Sequence, residues 1–263
     1  MKKYLAFIRL GLMDAVAYRA EFFISAFGWG LRLFIALFLW KAVADASGGT
    51  VGGYTFLRIM QYFFIIQILS GFVFTRVGFE IVNDVYRGDF ANYLLRPLNY
   101  LGFRLTYELS KNVFRTFCAL LIFGTLLFFL YGGISLSLWK LGFLLIAAVG
   151  SYLINSFIVM SIGMLSFWVV SANRIIFIYF GMLTIFSGMI IPVDLFPTSI
   201  QNIMQYLPFP YIFFFPARVL LSDAPSMLLY NSLGIQWIYA LVLGLMCYSL
   251  LRSGTRRFEG VGR

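Results

Sequence analysis

Histidine is absent from this chain. With it go the commonest general base, the usual zinc ligand and every Ser–His or Cys–His nucleophile pair. Cysteine is nearly as scarce. Cys118 and Cys247 each sit inside an apolar run, where they read as small buried hydrophobes rather than as a disulfide. Charge is thin as well: 11% of 263 residues, with only ten acidic side chains. No glycine-rich phosphate loop ending in Gly-Lys-Ser/Thr occurs, so any ATP that drives this protein is hydrolysed by another chain.

What the chain has instead is apolar length. It is 62% hydrophobic and 20% aromatic, with a mean hydropathy of +0.91, more apolar surface than a water-soluble core of this size can hide. The runs predict an all-α integral membrane protein with six spans, at about 22–44, 54–75, 113–131, 141–170, 175–191 and 231–251. The run over 141–170 exceeds a perpendicular crossing, implying tilt, emergence from the bilayer, or a break near Gly150 or Asn155.

Fifteen of the twenty Lys and Arg residues then fall in four stretches on one side; only Arg32, Lys41, Arg58, Lys140 and Arg218 do not. Cytoplasmic segments collect such residues, so both ends are expected in the cytosol. The net charge of +10 thus reads as topology signal and contact with anionic lipid headgroups, not as a nucleic-acid surface. Ala44-Asp45-Ala46 imitates a leader cleavage site, yet the run before it is too long for a leader and contains Arg32. An uncleaved first span is expected.

Two segments outside the spans stand out. Residues 1–21 place Leu5, Ile8, Leu12 and Val16 at three- and four-residue steps among basic residues, the pattern of an amphipathic helix on the membrane surface. An ordinary lead-in to the first span would carry similar charges. Residues 192–225 hold six of the seven prolines, including Pro192, Pro197, Pro208 and Pro210, around the apolar string Tyr211-Ile212-Phe213-Phe214-Phe215. A seventh span is excluded by the prolines and would export the C-terminal arginines. A broken, partly re-entrant pair of short helices within an outer segment 192–230 is expected, buried in protein where its backbone can be satisfied.

The acids exclude more. Asp45, Asp194 and Asp223 fall on the outer side, and Asp14, Glu21, Glu80, Asp84, Asp89, Glu108 and Glu259 on or near the inner side. None falls mid-span, where an ion-coupled carrier or an intramembrane aspartyl protease needs one or two.

The inner segment 76–112 is the largest polar stretch. Within it, Arg87 to Pro97 reads as a short helix with Asp89 as N-cap and Pro97 ending it at Arg96. Phe90, Tyr93 and Leu94 share one face, which suits a groove on a soluble partner or packing against its own subunit or lipid.

The string Gly88-Asp89-Phe90-Ala91-Asn92-Tyr93-Leu94-Leu95-Arg96-Pro97-Leu98 resembles the inner loop of membrane subunits of type-2 ATP-binding-cassette exporters. The outer run Ser187 to Pro197, followed by Leu207-Pro208-Phe209-Pro210, is similar to theirs as well. The likeness covers nearly the whole chain. It implies a permease subunit in a bacterial cytoplasmic membrane, without enzymatic activity, cofactor or metal of its own. It implies a separate ATPase subunit in two copies carrying ATP and Mg²⁺, and a second permease chain, identical or different. Gly88, Asp89, Phe90, Tyr93, Leu94, Arg96 and Pro97 would then form an ATPase-coupling helix over 88–97. Pro192, Pro197, Pro208 and Pro210 would mark an outer gate, with re-entrant helices over about 197–222.

Five polar residues within the spans are candidates for a path or a helix interface. Arg32 falls about halfway along the first, on a face shared with Ser25, Gly28 and Ala36, pointing to a helix interface or a substrate path. Gln61, Gln67, Asn155 and Ser156 could line a cavity or join helices. A passive channel or membrane scaffold without an ATPase is the alternative function. Lipids, amphipathic drugs and peptides suit the aromatic interior equally well.

Overall fold

The structure, a computed structural model, describes residues 2–17, 19–95, 98–132 and 137–258. The described chain is almost entirely helical. α1 (Lys2–Ala17) leads into α2 (Arg19–Ala46). Leu5, Ile8, Leu12 and Val16 of α1 all lie exposed, so the apolar stripe faces outward. The other side packs so closely on α6 (Tyr100–Ala119) that a Cβ on Gly11 would fall 2.0 Å from Ser110 Oγ.

After α2 the chain makes a small antiparallel hairpin of β1 (Thr50–Val51) and β2 (Tyr54–Thr55). Gly52 and Gly53 supply its positive φ angles of 54° and 84°, which other residues adopt only under strain. The second run therefore begins later than its hydropathy suggests: Thr55 is the N-cap of α3 (Phe56–Val73), its hydroxyl accepting from Arg58 N–H. α3 is the centre of the molecule, with twelve of its eighteen residues buried.

At Phe74 the backbone turns extended, and after Thr75 and Arg76 it resumes as α4 (Val77–Tyr86). The short α5 (Phe90–Leu94) follows, then α6. A π-helical turn at Leu120–Gly124 joins α6 to α7 (Thr125–Tyr131). The third apolar run is thus the far end of a longer helical stretch, not a helix starting at 113. α8 (Leu138–Met164) passes Gly150 and Asn155 unbroken, so the excess length of that run goes into emergence or tilt, without a kink.

α9 (Ala172–Phe186), α10 (Thr198–Met204), α11 (Phe214–Leu221) and α12 (Met227–Thr255) complete the described chain. Five stretches are long and apolar enough to cross a bilayer: Ala26–Ala46, Phe56–Tyr86, Tyr100–Tyr131, Leu138–Phe167 and Met227–Thr255. α9, at fifteen residues, is shorter, about 22 Å at 1.5 Å per residue. This is an integral membrane protein crossing several times.

One close approach joins α4 to α8. α4 crosses α8 where Gly78 meets Gly163; a Cβ on Gly163 would lie 2.7 Å from the Gly78 carbonyl oxygen. Small residues at such crossings let backbones approach. The proline-rich region forms no long helix, and residues from Phe209 to Ala217 are all buried. Its backbone is satisfied within the protein: Phe214 N–H donates to Ser187 O at 3.0 Å, while the Tyr211 carbonyl accepts from Ser151 Oγ at 3.1 Å and Gln236 Nε2 at 2.8 Å.

Candidate functional site

Four elements surround the polar segment between α3 and α6. Arg104 of α6 pairs with Glu80 at 2.6 Å and with Asp84, both on α4. Tyr100 donates to Asp84 at 2.6 Å. Two turns further along α6, Lys111 reaches Glu80 at 3.2 Å and Glu108 at 2.7 Å, and Thr75 donates to Glu108 at 3.1 Å. Glu108 is fully buried, so its charge persists only because cation and hydroxyl partners surround it. The network fastens α4 to α6 as a rigid pair of arms.

α5 sits between those arms. Gly88, at φ 76°, makes the turn out of α4. Asp89 precedes the helix but has α-helical backbone angles and makes no capping hydrogen bond, so glycine geometry starts the helix and the aspartate cap expected from sequence does not. Leu95 follows the last helical residue, Leu94; Arg96 and Pro97 lie outside the described residues.

The expected apolar face divides in two. Phe90 is 1% exposed, its ring edge-on to Tyr100, Phe167 and Phe258 at 5.0, 5.1 and 5.2 Å. Tyr93 meets Tyr100 edge-on and Phe103 at a tilt, with the Arg104 guanidinium over its ring. Within this subunit the Phe90 ring is covered by its own packing. Leu94 and Leu95 point outward, 52% and 85% exposed.

Beside the network lies a cavity of about 670 Å³, walled by α1, α2, the α3–α4 break, α6 and α9. Four cationic side chains, Arg32, Arg76, Lys111 and Arg115, line it with two carboxylates, Asp14 and Glu80. Trp29, Phe79 and Phe177 are among its aromatic walls. Tyr107 donates to Asp14. Arg32 is exposed to this space and, among the described residues, has no hydrogen-bonding or ion-pairing partner.

The other in-span polar residues lie elsewhere. Asn155 is fully buried, donating to the Val73 carbonyl at 2.8 Å and accepting from Tyr179 at 2.7 Å, which joins α8, α3 and α9 and satisfies the end of α3. Ser156 is fully buried on α8 and does not line the cavity. Gln67 is 4% exposed and Gln61 half-buried; neither lines the cavity.

At the opposite end, Tyr54 of the hairpin donates to Asp194 at 2.7 Å, and Arg58 pairs with Asp223 at 3.0 Å. Burial, with the Asp194 hydrogen bond, holds the Tyr54 hydroxyl well above its usual pKa, so it remains a donor. Pro192 and Pro197 immediately precede the helical turn Val193–Leu195 and α10, while Pro208 and Pro210 frame the turn Phe209–Tyr211. Buried Pro192 and Pro210 and exposed Pro197 shape this segment.

A helical bundle with several apolar crossings and a cation-lined cavity among them is the architecture of a multi-pass membrane protein. The chain belongs to the ABC-2 family of transporter proteins: the family profile, ABC-2 family transporter protein, matches residues 31–262. It is accordingly a membrane permease of an ABC transporter. No curated protein matches the sequence.

Proposed function

We propose that this chain is the six-span permease of an ATP-driven exporter in a bacterial cytoplasmic membrane, with both termini in the cytosol. A separate ATPase, in two copies carrying ATP and Mg²⁺, docks on the 88–97 segment. A second permease chain, identical or different, completes the pathway. The chain binds no cofactor and performs no covalent chemistry.

The observation that carries this reading is the exposed pair Leu94 and Leu95 at the end of α5. Two apolar side chains standing out of a polar segment suit a hydrophobic groove on a soluble partner. Closure of the ATPase would move α5, and the salt-bridged α4–α6 frame would carry that movement to the cavity. At the other end, the hairpin and the segment containing Pro192, Pro197, Pro208 and Pro210 form the outer gate.

Six crossings are supported by where the ends of α9 lie. Its N-terminal side follows Phe167, whose ring packs on Phe90 of the inner segment and on Phe258 near the C-terminus. Its C-terminal side leads to Gly188, whose carbonyl accepts from Tyr62, in the first half of α3. α9 thus runs from the end gathering the basic segments toward the hairpin end.

Co-expression with the ATPase encoded beside this chain, followed by mild detergent extraction, tests the assignment. The two subunits should co-purify, and joint substitution L94D and L95D should separate them. A permease that never retains a nucleotide hydrolase would support instead the passive channel or scaffold.

A further inference from the structure

Resting on the permease reading for its place in transport, we propose that the cavity beside the α3–α4 break binds an amphiphilic anion. A phosphate or carboxylate head would lie among Arg32, Arg76 and Arg115, and a hydrocarbon tail along Trp29, Phe79 and Phe177.

The charge arrangement selects the sign of the ligand. The cavity's two carboxylates are already engaged: Asp14 accepts from Tyr107, and Glu80 is held by Arg104 at 2.6 Å and Lys111 at 3.2 Å. Glu80 is thereby charge-compensated, and the cavity's lining carries four cations against two carboxylates, which disfavours a cationic ligand. Two of the cations, Arg115 and Arg32, form no ion pair among the described residues. Arg115 donates to the neutral Asn112 Oδ1 at 3.0 Å. Arg32 has no partner among the described residues. A cation on an apolar spanning helix is costly unless something compensates it, and such residues mark substrate pathways. An anion entering here gains charge-assisted hydrogen bonds from planar, fork-shaped donors suited to phosphate and carboxylate oxygens.

The walls select the rest of the molecule. Phe79 and Phe177 stand with ring centroids 5.3 Å apart, and the cavity's 670 Å³ lies within the range of small-molecule sites. A small inorganic ion would leave those rings facing empty space. An uncharged hydrocarbon would leave Arg32 uncompensated. Both demands are met by one molecule with an anionic head and an apolar tail, either an anionic lipid of the surrounding membrane or a free amphiphile.

The experiment uses the full chain in phosphatidylcholine nanodiscs. Radiolabelled decyl phosphate, below its micelle-forming concentration, is titrated against protein-containing and empty discs. Saturable binding is expected, with decyltrimethylammonium competing at least about tenfold more weakly. Arg32→Gln and Arg115→Gln should each weaken binding about tenfold, the loss of one charge-assisted hydrogen bond. Arg32→Lys should retain most of the affinity, and Arg58→Gln, at the other end of the molecule, should leave it unchanged.

Discs enriched in phosphatidylglycerol separate the two sources. Weakened decyl phosphate binding there identifies a membrane lipid as the resident anion; unchanged binding identifies a free amphiphile. Equal competition by the cationic amphiphile, or full affinity in a correctly folded Arg32→Gln protein, would overturn the proposal. No ATPase takes part in this measurement. Failure here leaves the permease assignment standing, and failure to recruit an ATPase leaves the anion site standing.

Discussion

The side-chain amide of Gln236, on the last helix, donates to the carbonyl oxygen of Tyr211 at 2.8 Å, inside the proline-broken segment between α9 and α12. The same nitrogen also meets Ala147 O at 2.9 Å and Ser151 Oγ at 3.0 Å. Non-helical backbone at membrane depth persists only where protein groups take the place of the missing helical hydrogen bonds. Gln236, fully buried, is that group here.

Gln236→Leu should therefore destabilise the protein by about 1 kcal/mol, since the Tyr211 carbonyl would keep only the Ser151 hydroxyl as a donor. Gly150→Ala should act at the same place, since its new Cβ would lie 2.8 Å from the Gln236 amide carbon. Thermal unfolding of the purified protein in detergent checks both. If Gln236→Leu unfolds like the parent, the Tyr211 carbonyl finds another donor and this account fails.

The α4–α6 frame makes a second prediction. Arg104 is 7% exposed and answers two carboxylates, Glu80 and Asp84. Removing one partner of a buried ion pair leaves an uncompensated charge, at a cost of about 3–5 kcal/mol. Arg104→Gln should lower the unfolding temperature sharply, whereas Arg104→Gln combined with Glu80→Gln and Asp84→Asn should recover part of the loss. In the triple variant, ATP hydrolysis should continue while transport into vesicles falls, because the arms no longer move together.

α5 separates docking from folding. Phe90→Ala empties a ring site shared by Tyr100, Phe167 and Phe258 and should cost about 3–5 kcal/mol of stability. Leu94→Asp with Leu95→Asp alters only exposed side chains; unfolding should be nearly unchanged while the ATPase no longer co-purifies. Loss of the ATPase in Phe90→Ala at temperatures where it stays folded would place the docking surface elsewhere on the segment.

The contrast between Phe90 and Leu95 also marks what the sequence could disclose. Periodicity groups Phe90, Tyr93 and Leu94 on one face, and that face exists. Its division between core and surface depends on Phe167 and Phe258, which lie far along the chain and reach Phe90 only through the fold. Leu95, outside the three-residue pattern, drew no notice and is the more exposed of the two leucines. Apolar runs were legible because the length needed to cross a bilayer is fixed. Their boundaries were less so: Tyr54 and Thr55 belong to a hairpin, and the run from 113 continues a helix begun at Tyr100.

Among the polar residues within spans, Arg32 was legible because an arginine on an apolar helix is rare in itself. Asn155 was legible as a residue but not as to role, since inter-helix bonding and cavity lining demand the same side chain. The roles of Glu108 and Gln236 are not legible in the sequence for a different reason. Each reads as an ordinary polar residue near a helix end or face, and only the approach of Lys111 and Thr75, or of Tyr211, makes it a buried centre.

The last prediction concerns the path of α9, because only this helix lies between Val170 and Ala224 as a candidate crossing. Both positions are exposed. Starting from a chain whose Cys118 and Cys247 are replaced by serine, single cysteines are placed at Val170, Ala224, Asn92 and Ser47 and probed in intact cells with a membrane-impermeant maleimide. Ala224→Cys and Ser47→Cys should label at once; Val170→Cys and Asn92→Cys should label only after the membrane is opened. Fifteen helical residues span about 22 Å, short of a hydrocarbon core of about 30 Å, so Ser187 to Ile191 must complete the crossing inside protein. The buried Ser187 and Met189 and the bond from Tyr62 to Gly188 supply that shelter. Labelling of Val170→Cys and Ala224→Cys from the same side would mean that α9 dips in and returns. The C-terminal arginines would then stand outside, and the leucine pair and the C-terminus could not share one cytosolic motor.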